Sequence, residues 1–198
     1  MVSMSGLTTS SNSSLISKLN EALERGAEVL LIKVGPRSYI RANLEVLKYL
    51  ADMTEGGIYI SLNKPYFSLK KNLTKEGIDV NKLIFIDCLT RQLGGDEVDT
   101  NRCIYLNSPD PVLLQVSIER AMDLITSENR FIYLDSLSTI SLYKSFETLI
   151  KFLRHITGKI RLRGFVGTIF TVEKEIEEGY LSQISLMCDE VIEVNDCA

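Results

Sequence analysis

The chain has 198 residues, of which 45% are hydrophobic and 24% are charged, and its formal net charge is −4. This composition excludes a disordered or fibrous chain, and the acidic balance argues against a general nucleic-acid binder. No apolar run reaches the roughly 18 residues that a membrane span needs. Four cysteines without CxxC spacing indicate reduced thiols. We therefore expect a cytoplasmic protein with one folded domain over residues 14–198, preceded by a flexible tail, rich in serine and threonine, over residues 1–13.

Short apolar runs alternate with amphipathic segments along the whole chain. Most runs show no polar–apolar alternation, which is typical of strands that are buried on both faces of a parallel sheet. Residues 88–109 show weak patterning and are predicted to form a surface excursion. The pattern therefore predicts an α/β fold of three layers, α/β/α, around a mainly parallel sheet. The predicted order is helix 14–26, strand 29–34, helix 44–51, strand 57–62, helix 66–76, strand 83–87, a helix from 110, strand 130–135, helix 146–153, strand 164–171, helix 173–185 and strand 190–194.

The segment after the first predicted strand has the spacing of a phosphate-binding P-loop. Such a loop needs a first glycine, four residues, a second glycine, a lysine and then a hydroxyl for Mg²⁺. Here Gly35 is followed at the last three of those positions by Ile40, Arg41 and Ala42. A β-branched residue replaces a glycine, a guanidinium replaces an ammonium, and the hydroxyl is lost. The residues that we expect to form this altered or vestigial site are Gly35, Arg37, Ser38 and Arg41.

Asp135 is the second candidate site residue. It ends the apolar strand 130–135 and is followed by Ser136, which is the pattern of a Walker B strand. Ligands of open parallel sheets bind beyond the carboxyl ends of the strands, so Asp135 and the Gly35 loop are expected at one edge of the sheet. We expect their two strands to be neighbours.

Four segments carry a resemblance to a known family. They are GIYIS (57–61), EGIDVNKLIFID (76–87), FIYLDSLS (131–138) and CDEVIEV (188–194). Together they resemble KaiC-type members of the RecA superfamily, over residues 28–194. The resemblance implies a RecA-like sheet, ATP binding at subunit interfaces, and assembly into rings or filaments. It also matches Asn63 and Lys64 to the position of the glutamates that polarise the attacking water in active relatives. Neither side chain can take that role as a general base here.

These departures lead to our main hypothesis. The sequence predicts a non-catalytic RecA/KaiC-like domain with a regulatory or scaffolding role through protein–protein contacts, either with a partner or by self-association. No catalytic residue, metal or cofactor is expected. The alternative is a nucleotide-binding protein that holds ATP or ADP, in which Arg41 replaces the lysine and Asp135 organises a metal. A third hypothesis is an enzyme of another doubly wound family, with its site in residues 88–109.

One basic segment leaves a choice open. His155, the only histidine, lies among five cations, namely Lys151, Arg154, Lys159, Arg161 and Arg163. A solvated helix face is the simpler interpretation, since cations are favoured at a helix C-terminus. A docking patch for an acidic partner or for nucleic acid is the alternative.

Overall fold

The computed structural model describes residues 10–196, with side chains for residues 15–142 and 144–196. This part of the chain contains seven α-helices, seven strands and two short 3-10 helices, and helices and strands mostly alternate. The helices are α1 (Ser10–Glu24), α2 (Tyr39–Met53), α3 (Tyr66–Lys75), α4 (Pro111–Leu124), α5 (Leu137–Tyr143), α6 (Phe146–Arg163) and α7 (Glu178–Ser185). The strands are β1 (Val29–Val34), β2 (Gly56–Ser61), β3 (Leu83–Asp87), β4 (Cys103–Tyr105), β5 (Arg130–Asp135), β6 (Val166–Val172) and β7 (Glu190–Val194).

The strands form one sheet in the order β4-β3-β2-β5-β6-β1-β7. Every pairing in it is parallel, so the expectation of a mainly parallel sheet is confirmed. One expectation about the sheet is wrong. The strands that carry Gly35 and Asp135 are not neighbours, because β6 pairs with both β1 and β5 and lies between them.

Helices cover both faces of the sheet and bury two apolar cores. Strand residues alternate between the cores, so that Leu30 and Ile32 pack with α1, α2 and α3, whereas Val29 and Leu31 pack with α4, α5, α6 and α7. Burial on both faces explains why β1 reads as a continuous apolar run rather than as an alternating one. The three-layer α/β/α fold predicted from the sequence is confirmed.

Several element boundaries differ from the prediction. Helix α1 begins at Ser10, four residues earlier than expected, because serine and asparagine give no apolar periodicity to detect. Helix α7 begins only at Glu178, since Lys174 has a positive φ of 68°, which a helix cannot contain. The short helix α5 is an element that the sequence analysis did not predict.

Residues 88–109 include an exposed surface segment over residues 91–101, as predicted, but they are also tied to the rest of the fold. They contribute β4, which is too short at three residues to be detected as a strand. At their start, the buried Asp87 carboxylate accepts the backbone N–H groups of Tyr66 (2.6 Å), Leu89 (2.7 Å) and Thr90 (2.9 Å). Further on, Asp99 accepts hydrogen bonds from the Tyr66 hydroxyl (2.7 Å) and from Lys70 Nζ (2.8 Å). Both carboxylates thus serve to fix the chain path.

Two further expectations from the sequence are the flexible tail over residues 1–13 and the lack of a membrane span. Residues 1–9, most of the predicted tail, lie outside the described residues, as does Cys197. Within residues 10–196, none of the helices combines the length and the apolar character that crossing a bilayer would require.

Two glycine-to-alanine changes test the packing of the sheet. A Cβ atom on Gly57 would collide with the ring of Phe131, whereas one on Gly158, inside α6, would meet nothing within 4 Å. We expect Gly57→Ala to lower the free energy of unfolding by about 1–3 kcal/mol through overpacking. Gly158→Ala should raise it by about 0.5–1 kcal/mol, since alanine is the better helix former. Chemical denaturation of both variants checks the pair, and an equal effect of the two would contradict this packing.

Candidate functional site

The carboxyl ends of β1, β2, β5 and β6 meet at one edge of the sheet, where the sequence analysis places the site. A cleft of about 330 Å³ opens at this edge. It is lined by residues at or beyond the ends of all four strands, among them Pro36, Tyr39, Asn63, Ser136 and Val172. Parallel pairing brings these segments together although they are far apart in sequence.

The Gly35 loop, residues 35–38, is closed by the residues that follow the last strand. Gly35 donates its N–H to the Val194 carbonyl (2.9 Å). The Asp196 carboxylate then accepts the backbone N–H groups of Ser38 (2.8 Å) and Arg37 (3.3 Å). Burial is the largest single influence on the pKa of Asp196 and acts to raise it. The hydrogen bonds together outweigh burial, so the pKa of Asp196 is lowered. A carboxylate of the chain itself therefore binds two of the amides that a P-loop would offer to phosphate.

Gly35 is required here by the close approach of that carboxylate. A Cβ atom at position 35 would collide with the Asp196 side chain. Ser38 strengthens the closure, because its hydroxyl donates to the Asn195 carbonyl (3.4 Å). In this structure, therefore, the lack of a side chain at Gly35 allows the Asp196 carboxylate to approach the loop.

The two arginines of the predicted site line a second cleft, of about 230 Å³, beside the loop. Arg37, Ser38 and Arg41 lie on its wall with residues of α1, α2 and β7. Arg41 is largely exposed and pairs with Glu45 one helical turn further on, at 3.1 Å. An exposed pair of this kind contributes little to stability.

Asp135 is buried at the end of β5 and is bonded to two tyrosines. The hydroxyl of Tyr39 donates to its Oδ1 atom, and the hydroxyl of Tyr59 donates to Oδ2. Burial raises the pKa of Asp135 to about 7. The Asp135–Ser136 peptide bond is cis.

An aromatic row across the sheet positions both tyrosines. The register places Tyr59 on β2 beside Tyr133 on β5, and the two rings stack with centroids 5.3 Å apart. Phe170 on β6 continues the row at 5.2 Å from Tyr133, and Tyr39 meets Phe170 edge-on at 6.3 Å. Because Asp135 lies two residues beyond Tyr133, it faces the same side of the sheet as this row.

Hydroxyl groups complete the edge around Asn63. Thr139 Oγ1 donates to Asn63 Oδ1 at 2.8 Å, and the Ser138 and Thr171 hydroxyls lie 3.2 Å apart. Ser138 Oγ also accepts the N–H of Val172 at 2.9 Å, which ties α5 to the end of β6.

The predicted site residues thus separate into two groups. One group lies in and next to the loop that the Asp196 carboxylate closes, and it consists of Gly35, Arg37, Ser38 and Arg41. The other is Asp135, which is enclosed by tyrosines. Sequence analysis did not identify Asp196, Tyr39 or Tyr59 as members of the site. Of the three, only Tyr39 lies within the P-loop spacing of residues 35–42, which could have drawn attention to it.

The thiols and the basic cluster lie outside this edge. Burial raises the pKa of Cys103 and of Cys188 to about 12 and raises that of Cys88 further, so these thiols stay protonated near neutral pH. His155 contacts Glu119 on α4 at 2.9 Å, and Lys159 shares the same carboxylate at 3.0 Å. Much of the basic cluster therefore pairs with acids of the chain.

The fold of this chain is similar to that of several solved structures. A KaiC-like protein from the hyperthermophilic archaeon Pyrococcus horikoshii OT3 superposes with a TM-score of 0.58, at 14% identity, covering 85% of this chain and 71% of that one. An uncharacterized protein from Pyrococcus horikoshii, in complex with an unknown peptide, gives a TM-score of 0.60 at 18% identity, covering 87% and 82%. The chain has a KaiC-like fold.

The remaining comparisons neither support nor oppose a KaiC-like fold. The flagellar accessory protein FlaH from Methanocaldococcus jannaschii has a TM-score of 0.48 at 13% identity, covering 89% of this chain and 76% of that one. Protein-family models and curated proteins give no match to the sequence.

Burial of Asp135 predicts a specific dependence of stability on pH. An aspartate has a pKa near 3.8 when solvated, and Asp135 reaches about 7 in the fold. Between these values the folded state retains a proton that the unfolded state releases, so stability falls as pH rises from about 4 to about 7. Asp135→Asn should remove that loss, which is on the order of 4 kcal/mol at about 1.4 kcal/mol per pH unit.

Urea denaturation of the parent and Asp135→Asn across this pH range measures the difference. Asp123→Asn is the matched control, since Asp123 is largely exposed beside Arg163. Parallel stability curves for the parent and Asp135→Asn would contradict the buried, proton-retaining state of Asp135.

Proposed function

We propose that this chain is a non-catalytic domain of KaiC-like fold that has a regulatory or scaffolding role through protein–protein contacts. The observation that carries the proposal is the Asp196 carboxylate on the amides of Arg37 and Ser38. A loop whose own chain supplies an anion has no need of a phosphate to satisfy its N–H groups.

The residues of the loop do not fit a magnesium nucleotide. The amides and the space above Gly35 are taken by Asp196, whose negative charge would repel a phosphate at that place. Ile40, at the position of the second glycine, has a side chain that is 65% exposed at the first turn of α2. Ala42, at the position of the Mg²⁺-binding hydroxyl, is buried and offers no oxygen.

The position of the Walker B acid leads to the same proposal. A metal-bound water would need an accessible carboxylate on Asp135, whereas this side chain is buried and each of its oxygens already accepts a tyrosine hydroxyl. Asn63, which would have to polarise the attacking water, accepts a hydrogen bond from Thr139 and has no basic character.

The protein-contact part of the proposal rests on the outer face of α4. Val112 and Val116 are each 65% exposed and, with Leu113, form one apolar stripe at helical spacing. Exposed apolar groups that lie together are typical of interaction surfaces. One structural neighbour was solved in complex with an unknown peptide. A polypeptide ligand is therefore compatible with a domain of this fold.

One observation favours the alternative function, a nucleotide-binding protein. Arg37 and Arg41 line the 230 Å³ cleft beside the loop, and two arginines are suited to bind phosphate oxygens. In that case a nucleotide would bind without hydrolysis beside the closed loop.

Calorimetry with ATP and ADP, with and without Mg²⁺, separates the two functions. We expect no binding heat and no ATP hydrolysis in the parent protein. Asp196 occupies the loop amides that would bind phosphate, and Tyr39 and Tyr59 occupy the Asp135 carboxylate that would bind a metal-bound water. Arg41→Ala should then change nothing. Binding that is lost in Arg41→Ala but kept in Arg120→Ala, an exposed arginine on α4, would support the alternative instead. Magnesium-dependent hydrolysis by the purified protein would overturn the proposal.

Affinity capture from cells that produce the protein tests the contact surface. We expect Val116→Glu to lose a captured partner, or a second copy of the chain, that the parent retains. Leu162→Glu is the matched control, because Leu162 is also an exposed apolar residue but lies on another helix, α6. Identical capture by both variants would exclude the α4 face as the contact surface.

A further inference from the structure

A smaller cleft, of about 180 Å³, lies beside the 330 Å³ cleft at the carboxyl edge of the sheet. The two clefts share Glu175, and the consecutive residues Ser141 and Leu142 of α5 line one cleft each. The smaller cleft extends towards the first turn of α7, where Glu177 and Tyr180 line it. The two clefts therefore adjoin, and together we call them the α5–α7 groove.

The groove carries negative charge that the chain does not neutralise. The charged residues that line it are Lys144, Glu175 and Glu177. Lys144 is paired with Asp110 at 2.9 Å. Across residues 15–142 and 144–196, neither glutamate side chain has an ion-pair or hydrogen-bond partner, and both residues are exposed. Two accessible carboxylates in one groove favour a basic ligand and would repel the phosphates of a nucleic acid.

Asn63 adds an accessible hydrogen-bond donor of fixed orientation. Its Oδ1 atom accepts the hydroxyl of Thr139 at 2.8 Å, so its Nδ2 atom faces away from that hydroxyl. Asn63 is exposed and lines the larger cleft, and its NH₂ group makes no hydrogen bond within the described part of the chain. The main-chain carbonyl of a polypeptide is a suitable acceptor for this donor.

Apolar side chains lie among these polar groups. Leu142, on the larger cleft, is 79% exposed. Phe146 and Tyr180, on the smaller cleft, stack with ring centroids 3.7 Å apart. Aromatic faces attract cations as well as apolar groups. The groove therefore suits a ligand that combines a positive charge, a carbonyl oxygen and apolar side chains. A polypeptide that contains both basic and apolar residues supplies all three.

We propose that the α5–α7 groove binds an extended segment of a partner protein in which basic and apolar residues alternate. A main-chain carbonyl of that segment accepts a hydrogen bond from Asn63. Its basic side chains pair with the two glutamates, and its apolar side chains contact Leu142 and the stacked rings. This surface is separate from the α4 face on which the proposed protein contact rests, so either one can fail without the other.

Nitrogen-15 NMR titration of the full chain with two synthetic hexapeptides tests the groove. One peptide alternates leucine with arginine, the other alternates leucine with glutamate, and both have blocked ends. We expect the arginine peptide to shift the side-chain NH₂ signals of Asn63 and the backbone amides of residues 173–177 until they saturate. The glutamate peptide should leave these signals unmoved. Absence of a saturable shift with the arginine peptide, or equal shifts with both, would overturn the proposal.

Variants identify the groups responsible. Glu175→Gln and Glu177→Gln should each weaken binding of the arginine peptide about two- to fivefold, the usual range for an exposed ion pair. Glu178→Gln is the matched control, because Glu178 is exposed in the same segment but lines neither cleft. It should bind the peptide like the parent, and so should Val116→Glu on the α4 face. Equal weakening by all three glutamine variants would indicate general attraction to an acidic chain and exclude the groove.

Two other occupants are distinguished by further measurements. Butylamine, a cation without a main chain, should bind far more weakly than the arginine peptide, and equal affinity would reduce the groove to a simple cation site. Sedimentation of the parent and of the double variant Glu175→Gln/Glu177→Gln should show the same oligomeric state. A parent assembly that dissociates in the double variant would assign the groove to a second copy of the chain and overturn the proposed partner segment.

Discussion

Burial of the parallel sheet on both faces is the constraint on which the rest of the structure depends. Because helices cover each side, the central strands are mostly apolar, and most polar groups of the sheet lie at the strand ends or on the edge strand β7. The carboxyl ends of β1, β2, β5 and β6 therefore collect the polar residues of the chain at one edge. The same burial places Asp135 in an apolar surrounding that raises its pKa. The character of the candidate site follows from this position.

The chain itself satisfies the polar groups at that edge. A carboxylate from beyond β7 binds the amides of the Gly35 loop, and two tyrosine hydroxyls bind Asp135. In a nucleotide-hydrolysing site these groups would have to be available to phosphate, metal and water. The contacts are mutually consistent, since the aromatic row that supports the tyrosines belongs to the same core as α2. This internal closure is the observation on which the proposed non-catalytic function rests.

The amino-acid sequence by itself determined the fold class, because two-sided burial leaves continuous apolar runs that can be read directly. β1, β3, β5 and β7 were predicted with their observed boundaries. The sequence also located Gly35, Arg37, Ser38, Arg41 and Asp135 at strand ends, since P-loop and Walker B spacing is local. It did not reveal that β6 separates β1 from β5, because strand order depends on how helices cross the sheet. Only the tertiary structure brought Asp196 to Ser38 and both tyrosines to Asp135. These contacts join residues that are 76 to 158 positions apart, and no local pattern records such a distance.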